Sequence, residues 1–258
     1  MNNGYILFYD SGIGGLSTLS KTIKVLPKER FLYFADNKNC PYGNKSSEEI
    51  EKLVQENLSY LLKCYNTKMV VFACNTITAC CVNHLRDKYN LEIVGTEPAI
   101  LPALRNSESK EVLCILTNAT SKQEKYKKLV DGADGVIHSL AFENLASDIE
   151  SHILEKEKID LNKYVVNIKN VLRRYPKIDG LVLGCTHYCL VSRFIKTSLN
   201  ISVYDGNLGV ARRAETLLIR NNKLSNIDFK GRVTFVLTKN NKNTQKQYEH
   251  ILKFVDKS

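Results

Sequence analysis

Two cysteines occupy matching positions in this chain. Cys74 follows the apolar run 69–73, and Cys185 follows the apolar run 181–184. Short continuous apolar runs of this kind favour strands that are buried on both faces, as in a parallel sheet. The polar, hydroxyl-bearing residues after each cysteine are typical of a helix start. Because ligands bind at the carboxyl ends of such strands, the sequence predicts two thiols facing one ligand.

The chemistry suited to such a pair is acid/base catalysis. A thiol at a helix N-terminus is expected to have a lowered pKa, which makes it a usable base near neutral pH. Two opposed bases can invert a carbon by removing a proton from one face and returning one to the other. Polar turns after Ser11, Asn75 and Thr186 could donate to a substrate carboxylate, where negative charge develops. For either cysteine alone, the alternative is a small buried core residue.

A glycine-rich segment, residues 10–16 (Asp-Ser-Gly-Ile-Gly-Gly-Leu), follows the first apolar run. It combines a carboxylate, a hydroxyl and a turn whose N–H groups can bind an anion. The G-x-G-x-x-G spacing of dinucleotide loops fails after Gly14, which makes nucleotide binding the weaker hypothesis. A structural alternative is a tight turn in which Asp10 caps the next helix.

The elements that position these residues form two similar sets of predicted strands, and in each set the cysteine follows the third strand. The first set is 5–9, 31–35, 69–73 and 91–95, and the second is 112–116, 135–138, 181–184 and 201–204. Helices are predicted at 46–65, 121–130 and 142–155, the first of them capped by Ser47. A helix at 208–219, a strand at 233–237 and a helix at 245–255 complete the chain.

Strands that alternate with helices predict an α/β fold, here two similar open parallel-sheet α/β domains with the active site between them. The first domain would comprise residues 1–97 plus 208–258 and carry Asp10 and Cys74. The second would comprise residues 98–207 and carry Cys185 and His187. The strand at 233–237 needs a sheet to join, and we expect it to return to the first domain.

The amino-acid composition indicates a globular protein and argues against a membrane protein. The 258 residues are 43% hydrophobic and 25% charged, as in a folded globular protein. No apolar run approaches the roughly 18 to 20 residues that span a bilayer, and no basic segment precedes the first apolar run, so we expect a cytoplasmic protein without membrane contact. The net charge of +10 allows an acidic partner, but the lysines are scattered among asparagines, and nucleic-acid binding is not expected.

The eight cysteines are expected to be free thiols, since no secretory signal is evident. The sequence contains no C-x-x-C pair. Cys185, His187 and Cys189 are the nearest approach to a ligand cluster, and we expect no metal there.

Taken together, these motifs resemble those of the aspartate/glutamate racemase superfamily, and within it the cofactor-independent glutamate racemases. The matching segments occur in the expected order at residues 10–16, 33–36, 41–43, 73–76, 95–99, 117–120 and 183–187.

This resemblance implies interconversion of L- and D-glutamate without pyridoxal phosphate, metal or nucleotide, supplying D-glutamate for peptidoglycan, by a homodimer. It assigns Cys74 and Cys185 as the acid/base thiols, assisted by Asp10 and His187 respectively. It places the family's usual acidic residue, near the start of a helix of the second domain, at Glu150. The substrate-binding residues that it implies are Ser11, Tyr42, Gly43, Asn75, Thr76, Thr120 and Thr186.

The chain also departs from the family pattern. Cys40 takes a usually apolar place before Pro41, and Cys189 stands where a proline is common. Two rival functions stay open. One is an aspartate racemase or related enzyme, although His187 stands where aspartate racemases tend to carry an acidic residue. The other is a non-catalytic protein that binds nucleic acid through its basic surface.

Overall fold

The computed structural model describes residues 2–241 and 243–256, which form two parallel sheets covered by helices. The first sheet has the order β4-β3-β1-β2-β9 and the second the order β6-β5-β7-β8. The strands are β1 Tyr5–Asp10, β2 Phe31–Ala35, β3 Thr67–Phe72, β4 Glu92–Gly95, β5 Glu111–Thr117, β6 Val136–Phe142, β7 Gly180–Leu183, β8 Ser202–Tyr204 and β9 Val233–Leu237. The expected α/β class with two parallel sheets is confirmed.

The helices follow the strands in alternation. They are α1 Leu16–Val25, α2 Ser47–Cys64, α3 Asn75–Lys88, α4 Ile100–Asn106, α5 Asn118–Ser121, α6 Glu124–Asp131, α7 Leu145–Leu154, α8 Asn162–Arg174, α9 Thr186–Cys189, α10 Ser192–Leu199, α11 Asn207–Arg220 and α12 Thr244–Asp256, with a short 3-10 helix at Tyr42–Asn44. Within the described ranges, none of these helices combines the length and the apolar character needed to cross a membrane.

The central strand of the first sheet, β1, is buried on both faces. Ile6 and Phe8 of β1 pack on one side, in a core that includes residues of α1, α11 and α12. Leu7 and Tyr9 pack on the other side, with residues of α2 and α3. A strand buried on both faces is therefore a continuous apolar run in the sequence.

The second sheet repeats this arrangement around β5 and β7. Leu113 and Ile115 pack against a core supplied by α7, α8 and α10. Cys114 and Leu116 pack on the opposite face, against α4 and α6. Because β5 pairs in parallel with both β6 and β7, the carboxyl ends of these strands lie at the same edge of the sheet.

The C-terminal strand joins the first sheet, as expected. β9 pairs in parallel with β2, from Phe31 opposite Val233 to Ala35 opposite Leu237. The domain boundaries at 97/98 and 207/208 stay a prediction, and the outer limits at residues 1 and 258 lie outside the described residues.

The two crossings between the sheets lie side by side. A side chain at Gly206 would place its Cβ 2.7 Å from the carbonyl oxygen of Glu97, so only glycine allows this approach. The Glu97 carboxylate also pairs with Lys125 of α6, at 2.6 Å.

Several local expectations were wrong. The cap of α2 is Ser46, whose Oγ accepts from the main-chain N–H of Glu49, and Ser47 is already helical. The strand predicted at 135–138 continues as far as Phe142 because β6 stays in register with β5 throughout. The helix predicted at 121–130 is interrupted at Gln123, which is extended. Helix α8 was not predicted.

Candidate active site

The carboxyl ends of the two sheets face each other. Asp10 ends β1, Cys74 lies just beyond β3, and Cys185 lies just beyond β7. Contacts cross between the sheets at this edge: the Thr186 hydroxyl donates to Asp10 Oδ2 at 3.3 Å. The strand-end rule therefore places groups from both sheets in one cleft.

On the side of the first sheet, a short turn holds Asp10 next to Ser11 and Cys74. Asp10 Oδ1 accepts from the main-chain N–H of Gly12 at 2.7 Å, and the Ser11 hydroxyl lies 3.9 Å from Cys74 Sγ. The N-cap of α1 is Gly15, which has no side-chain hydrogen bond. Asp10 thus orders the turn and does not cap the helix, contrary to the structural alternative.

On the side of the second sheet, a chain of contacts runs from the thiol to a carboxylate. Cys185 Sγ lies 3.9 Å from His187 Nδ1, and His187 Nε2 lies 2.5 Å from Glu150 Oε2. Glu150 Oε2 also accepts from the main-chain N–H of Ile13 at 3.5 Å. Glu150, supplied by α7, is therefore the acidic partner of His187.

Close packing brings the two sides together. A Cβ at Gly14 would lie 2.6 Å from the main-chain nitrogen of His187, which explains a glycine there. Both thiols are buried, since Cys74 and Cys185 are each 6% exposed. The charge of a Cys185 thiolate would raise the pKa of Cys74, so the thiols are near enough to influence each other.

The electrostatics of Cys74 correct one expectation from the sequence. Burial, followed by the nearby charge of Asp10, raises the pKa of Cys74 to about 12. The main-chain N–H of Ile77 favours the thiolate and lowers the pKa, but its effect is smaller than that of burial. A lowered pKa for Cys74 was therefore a wrong prediction, because desolvation outweighs the helix terminus.

Asp10 has an ionisation near neutrality. Burial raises its pKa to about 7, although the charge of His187 and the N–H of Gly12 act in the opposite direction. A carboxyl group with this pKa can exchange a proton at neutral pH.

His187 and Glu150 form a buried charged pair. Burial lowers the pKa of His187, but its contacts with Cys185, Cys40 and Glu150 outweigh burial and raise the pKa well above the usual range. Burial raises the pKa of Glu150, yet His187 and Cys40 lower it more, and the net pKa lies below its usual value. The imidazole is thus held in its charged form beside Cys185.

Hydroxyl groups line the neighbouring part of the cleft. The Thr76 hydroxyl lies 3.2 Å from that of Thr117 and 3.4 Å from that of Thr120. A Cβ at Gly43 would be 3.0 Å from Thr117 Cβ, so the segment that carries Gly43 packs directly on this cluster. The Asn75 amide donates to the main-chain carbonyl of Thr96 at 3.2 Å, at the crossing between the sheets.

The Tyr42 hydroxyl already has a hydrogen-bond partner, the carboxylate of Asp36. The hydroxyl donates to Asp36 Oδ2 at 2.6 Å, and Asp36 is fully buried just after β2. Asp36 also accepts from Asn57 and Thr238. The role of Asp36 was missed, although a carboxylate directly after an apolar run was the signal that could have shown it.

Potential metal ligands converge at a place that the sequence did not indicate. In residues 2–241 and 243–256, the group close enough to share an ion is Cys40, Glu150 and His187. Cys189 is not part of it, since its thiol donates to the carbonyl oxygen of Cys185 at 3.7 Å. Residues so distant in the chain leave no spacing pattern.

A fold of two parallel sheets that brings two thiols and their titratable partners into one cleft defines an α/β enzyme with acid/base chemistry. The Asp/Glu/Hydantoin racemase family model matches residues 17–214 of this chain. The chain belongs to this family.

Individual relatives agree with this assignment. A glutamate racemase of Clostridium novyi is 36% identical over 231 residues, which covers 88% of each chain. The solved structure of glutamate racemase RacE1 from Bacillus anthracis is 28% identical, with a TM-score of 0.80 over 98% of this chain and 94% of its own. The Escherichia coli glutamate racemase, solved with L-glutamate and the activator UDP-MurNAc-Ala, is 26% identical, with a TM-score of 0.82 over 98% and 95%.

Proposed function

We propose that this chain interconverts L- and D-glutamate through two acid/base thiols, Cys74 and Cys185. The observation that carries the proposal is the convergence of these thiols, one from each sheet, in a single buried cleft with separate proton partners. The names of the relatives support glutamate as the substrate.

The reaction needs one thiolate and one thiol at a time. The thiolate on one face of the substrate takes the α-proton, and the thiol on the other face gives its proton to the same carbon, which inverts the configuration. In the reverse direction the two sulfurs exchange roles. A single base would have to reach both faces of the α-carbon. With two opposed thiols, each sulfur serves one face and neither has to move.

The two thiols would exchange their protons with different neighbouring groups. With a pKa of about 12, Cys74 keeps its proton until a neighbouring base accepts it, and Asp10, with a pKa of about 7, is placed to be that base. Cys185 Sγ lies 3.9 Å from His187 Nδ1, and His187 is the neighbouring group placed to exchange a proton with it. Glu150 acts as a positioning residue that holds the charge and orientation of His187.

Negative charge that leaves the α-carbon spreads into the substrate carboxylate, so donors at that group lower the barrier. Ser11, Asn75 and Thr186 stand on turns next to the thiols. Tyr42 would contribute through the main chain, since its hydroxyl is engaged by Asp36. The proposed substrate-binding set is Ser11, Tyr42, Gly43, Asn75, Thr76, Thr120 and Thr186.

The biological setting extends the same proposal. D-glutamate is a component of bacterial peptidoglycan, and the enzyme would supply it in the cytoplasm. We also propose a homodimer. Exposed apolar side chains, such as Leu208 and Ile219 of α11, offer surface for such an interface. Sedimentation at micromolar concentration tests the assembly separately from the activity.

The first testable prediction concerns the thiols. Purified wild-type protein should exchange the α-proton of both glutamate enantiomers with deuterium from solvent, without added cofactor. Cys74→Ser and Cys185→Ser should each lower racemisation in both directions by about 10²- to 10⁴-fold, because each sulfur acts once as acid and once as base. Activity is measured by polarimetry, and exchange by proton NMR.

The control variant is Cys80→Ser, which alters a partly buried thiol on α3 next to Ser47. It should keep full activity. A Cys74→Ser or Cys185→Ser enzyme as active as this control would contradict the mechanism. Parallel assays with aspartate decide the rival: faster turnover of aspartate than of glutamate would favour the aspartate racemase alternative.

A further inference from the structure

Cys40 lies against the proposed catalytic groups although the proposed reaction does not use it. It stands on the segment between β2 and the 3-10 helix, and its thiol donates to Glu150 Oε2 at 3.2 Å.

Three kinds of ligand atom meet here. A thiol sulfur of Cys40, a carboxylate oxygen of Glu150 and an imidazole nitrogen of His187 all lie within 4.8 Å of one another. They come from three separate parts of the chain: the segment that leads into the 3-10 helix, helix α7 and helix α9. The folded cleft thus assembles the three ligands before any ion is present.

The two ring nitrogens of His187 have different neighbours. Nε2 faces Glu150, whereas Nδ1 faces Cys185 Sγ. An ion bound at Nε2 would therefore leave the sulfur of Cys185 outside its coordination sphere, on the far side of the ring.

We propose that Cys40, Glu150 and His187 form an inhibitory binding site for Zn²⁺ and similar transition-metal ions. Sulfur, nitrogen and carboxylate oxygen are the ligands that Zn²⁺ prefers, at about 2.0 to 2.3 Å, and three protein ligands leave a fourth position for water. Two protons go to solvent on binding, one from the Cys40 thiol and one from Nε2 of His187. Metal–sulfur and metal–nitrogen bonds replace them, with no change in oxidation state.

Inhibition follows from the groups that the ion would engage. An ion bound to His187 Nε2 and to Glu150 replaces the direct contact between these two residues beside Cys185. It also ties the Cys40 segment, which follows the first sheet, to α7 and α9 of the second unit, so the cleft is held closed around the thiols. This effect rests on the proposed racemase function, whereas the binding of the ion does not.

Co²⁺ titration of the metal-free protein, followed by absorption spectroscopy, is the test of binding. Wild-type protein should take up one ion per chain and show a thiolate-to-cobalt charge-transfer band together with the visible bands of a four-coordinate ion. Cys40→Val and Cys40→Ser should lose the charge-transfer band and bind at least about 10-fold more weakly. Cys80→Ser, again the matched thiol variant, should behave as wild type.

The racemase assay with added Zn²⁺ tests the consequence. Zn²⁺ should inhibit wild type and Cys80→Ser, while the activity of Cys40→Val, expressed relative to its own metal-free rate, should resist inhibition. An unchanged cobalt spectrum or equal metal affinity in Cys40→Val overturns the site, because the ion would then bind elsewhere. If the proposed racemase function failed, no variant would be active with glutamate, yet the cobalt spectra would still decide whether the site exists.

Discussion

At the scale of single residues, Asp10 shows how burial decides the chemistry. The residue is fully buried, and its carboxylate accepts from Gly12 and Thr186. These contacts do not compensate for lost hydration, since the pKa rises from 3.8 to about 7. The group that we propose as the base for Cys74 therefore destabilises the fold when it is ionised.

This gives a prediction for Asp10→Asn. Because folding raises the pKa of Asp10, the stability that comes from holding its proton is complete below about pH 4 and is lost as the pH rises through about 7. The amide that replaces the carboxyl group in the variant does not ionise. The difference in unfolding free energy, variant minus wild type, should therefore increase between pH 4 and 7 by a few kcal/mol and stay level above that.

Urea unfolding of both proteins at pH 5 and pH 8 measures this difference, and carboxylates that do not interact with Asp10 cancel in the comparison. A difference that does not change with pH would contradict the raised pKa.

At the scale of elements, the cap of α2 is a second testable feature. Ser46 is extended and accepts from Glu49, whereas Ser47 lies inside the helix. Ser46→Ala should lower the unfolding free energy by about 1 kcal/mol, since an N-terminal donor loses its partner.

The matched control for this cap is Ser47→Ala, one residue along. Ser47 accepts from Gln123 at 3.0 Å and caps nothing, so its loss should cost less. Equal losses from the two variants in thermal unfolding would argue against the assignment of Ser46.

The elements also show what the sequence can and cannot predict. The central strands were found because burial on both faces leaves continuous apolar runs, and strand-end placement predicted that Cys74 and Cys185 would converge. β6 was predicted too short because polar residues such as His138 and Ser139 interrupt its pattern, and only its partner β5 fixes its length. Ser47 was predicted as the cap of α2, but the extended residue that accepts from Glu49 is its neighbour Ser46, and the point where the chain becomes helical depends on the folded structure.

Interactions that depend on the assembled fold were not visible in the sequence. The proximity of Cys40 to Glu150 depends on how the two units meet, and no spacing encodes it. The pKa of Cys74 depends on burial by many distant residues, whereas the helix start that suggested a lower value is local.

At the scale of the whole molecule, a buried ion pair joins distant parts of the chain at the edge of the first sheet opposite the cleft. Lys68 Nζ lies 2.5 Å from Glu29 Oε2, and each side chain is 2% exposed. Lys68 also donates to the carbonyl oxygens of Asn2 and Lys223, while Glu29 accepts from the main-chain N–H of Ser225. The pair thus links the start of β3 to the chain between α11 and β9.

Lys68→Met should destabilise the protein by about 3 to 5 kcal/mol, because it leaves the Glu29 carboxylate buried without its counterion. Guanidinium unfolding measures the loss. The double variant Glu29→Gln/Lys68→Met should recover part of it, since the isolated charge is gone. A double variant less stable than Lys68→Met would show that the charge of Glu29 is not the cause.

The position of β9 has a consequence for how this molecule is made. β9 is the edge strand that covers β2, yet it is separated from β2 by all of the second sheet. A ribosome therefore releases β5 to β8 before it releases β9. Until β9 has emerged, the nascent chain carries β2 as an open edge that can pair with the wrong strand.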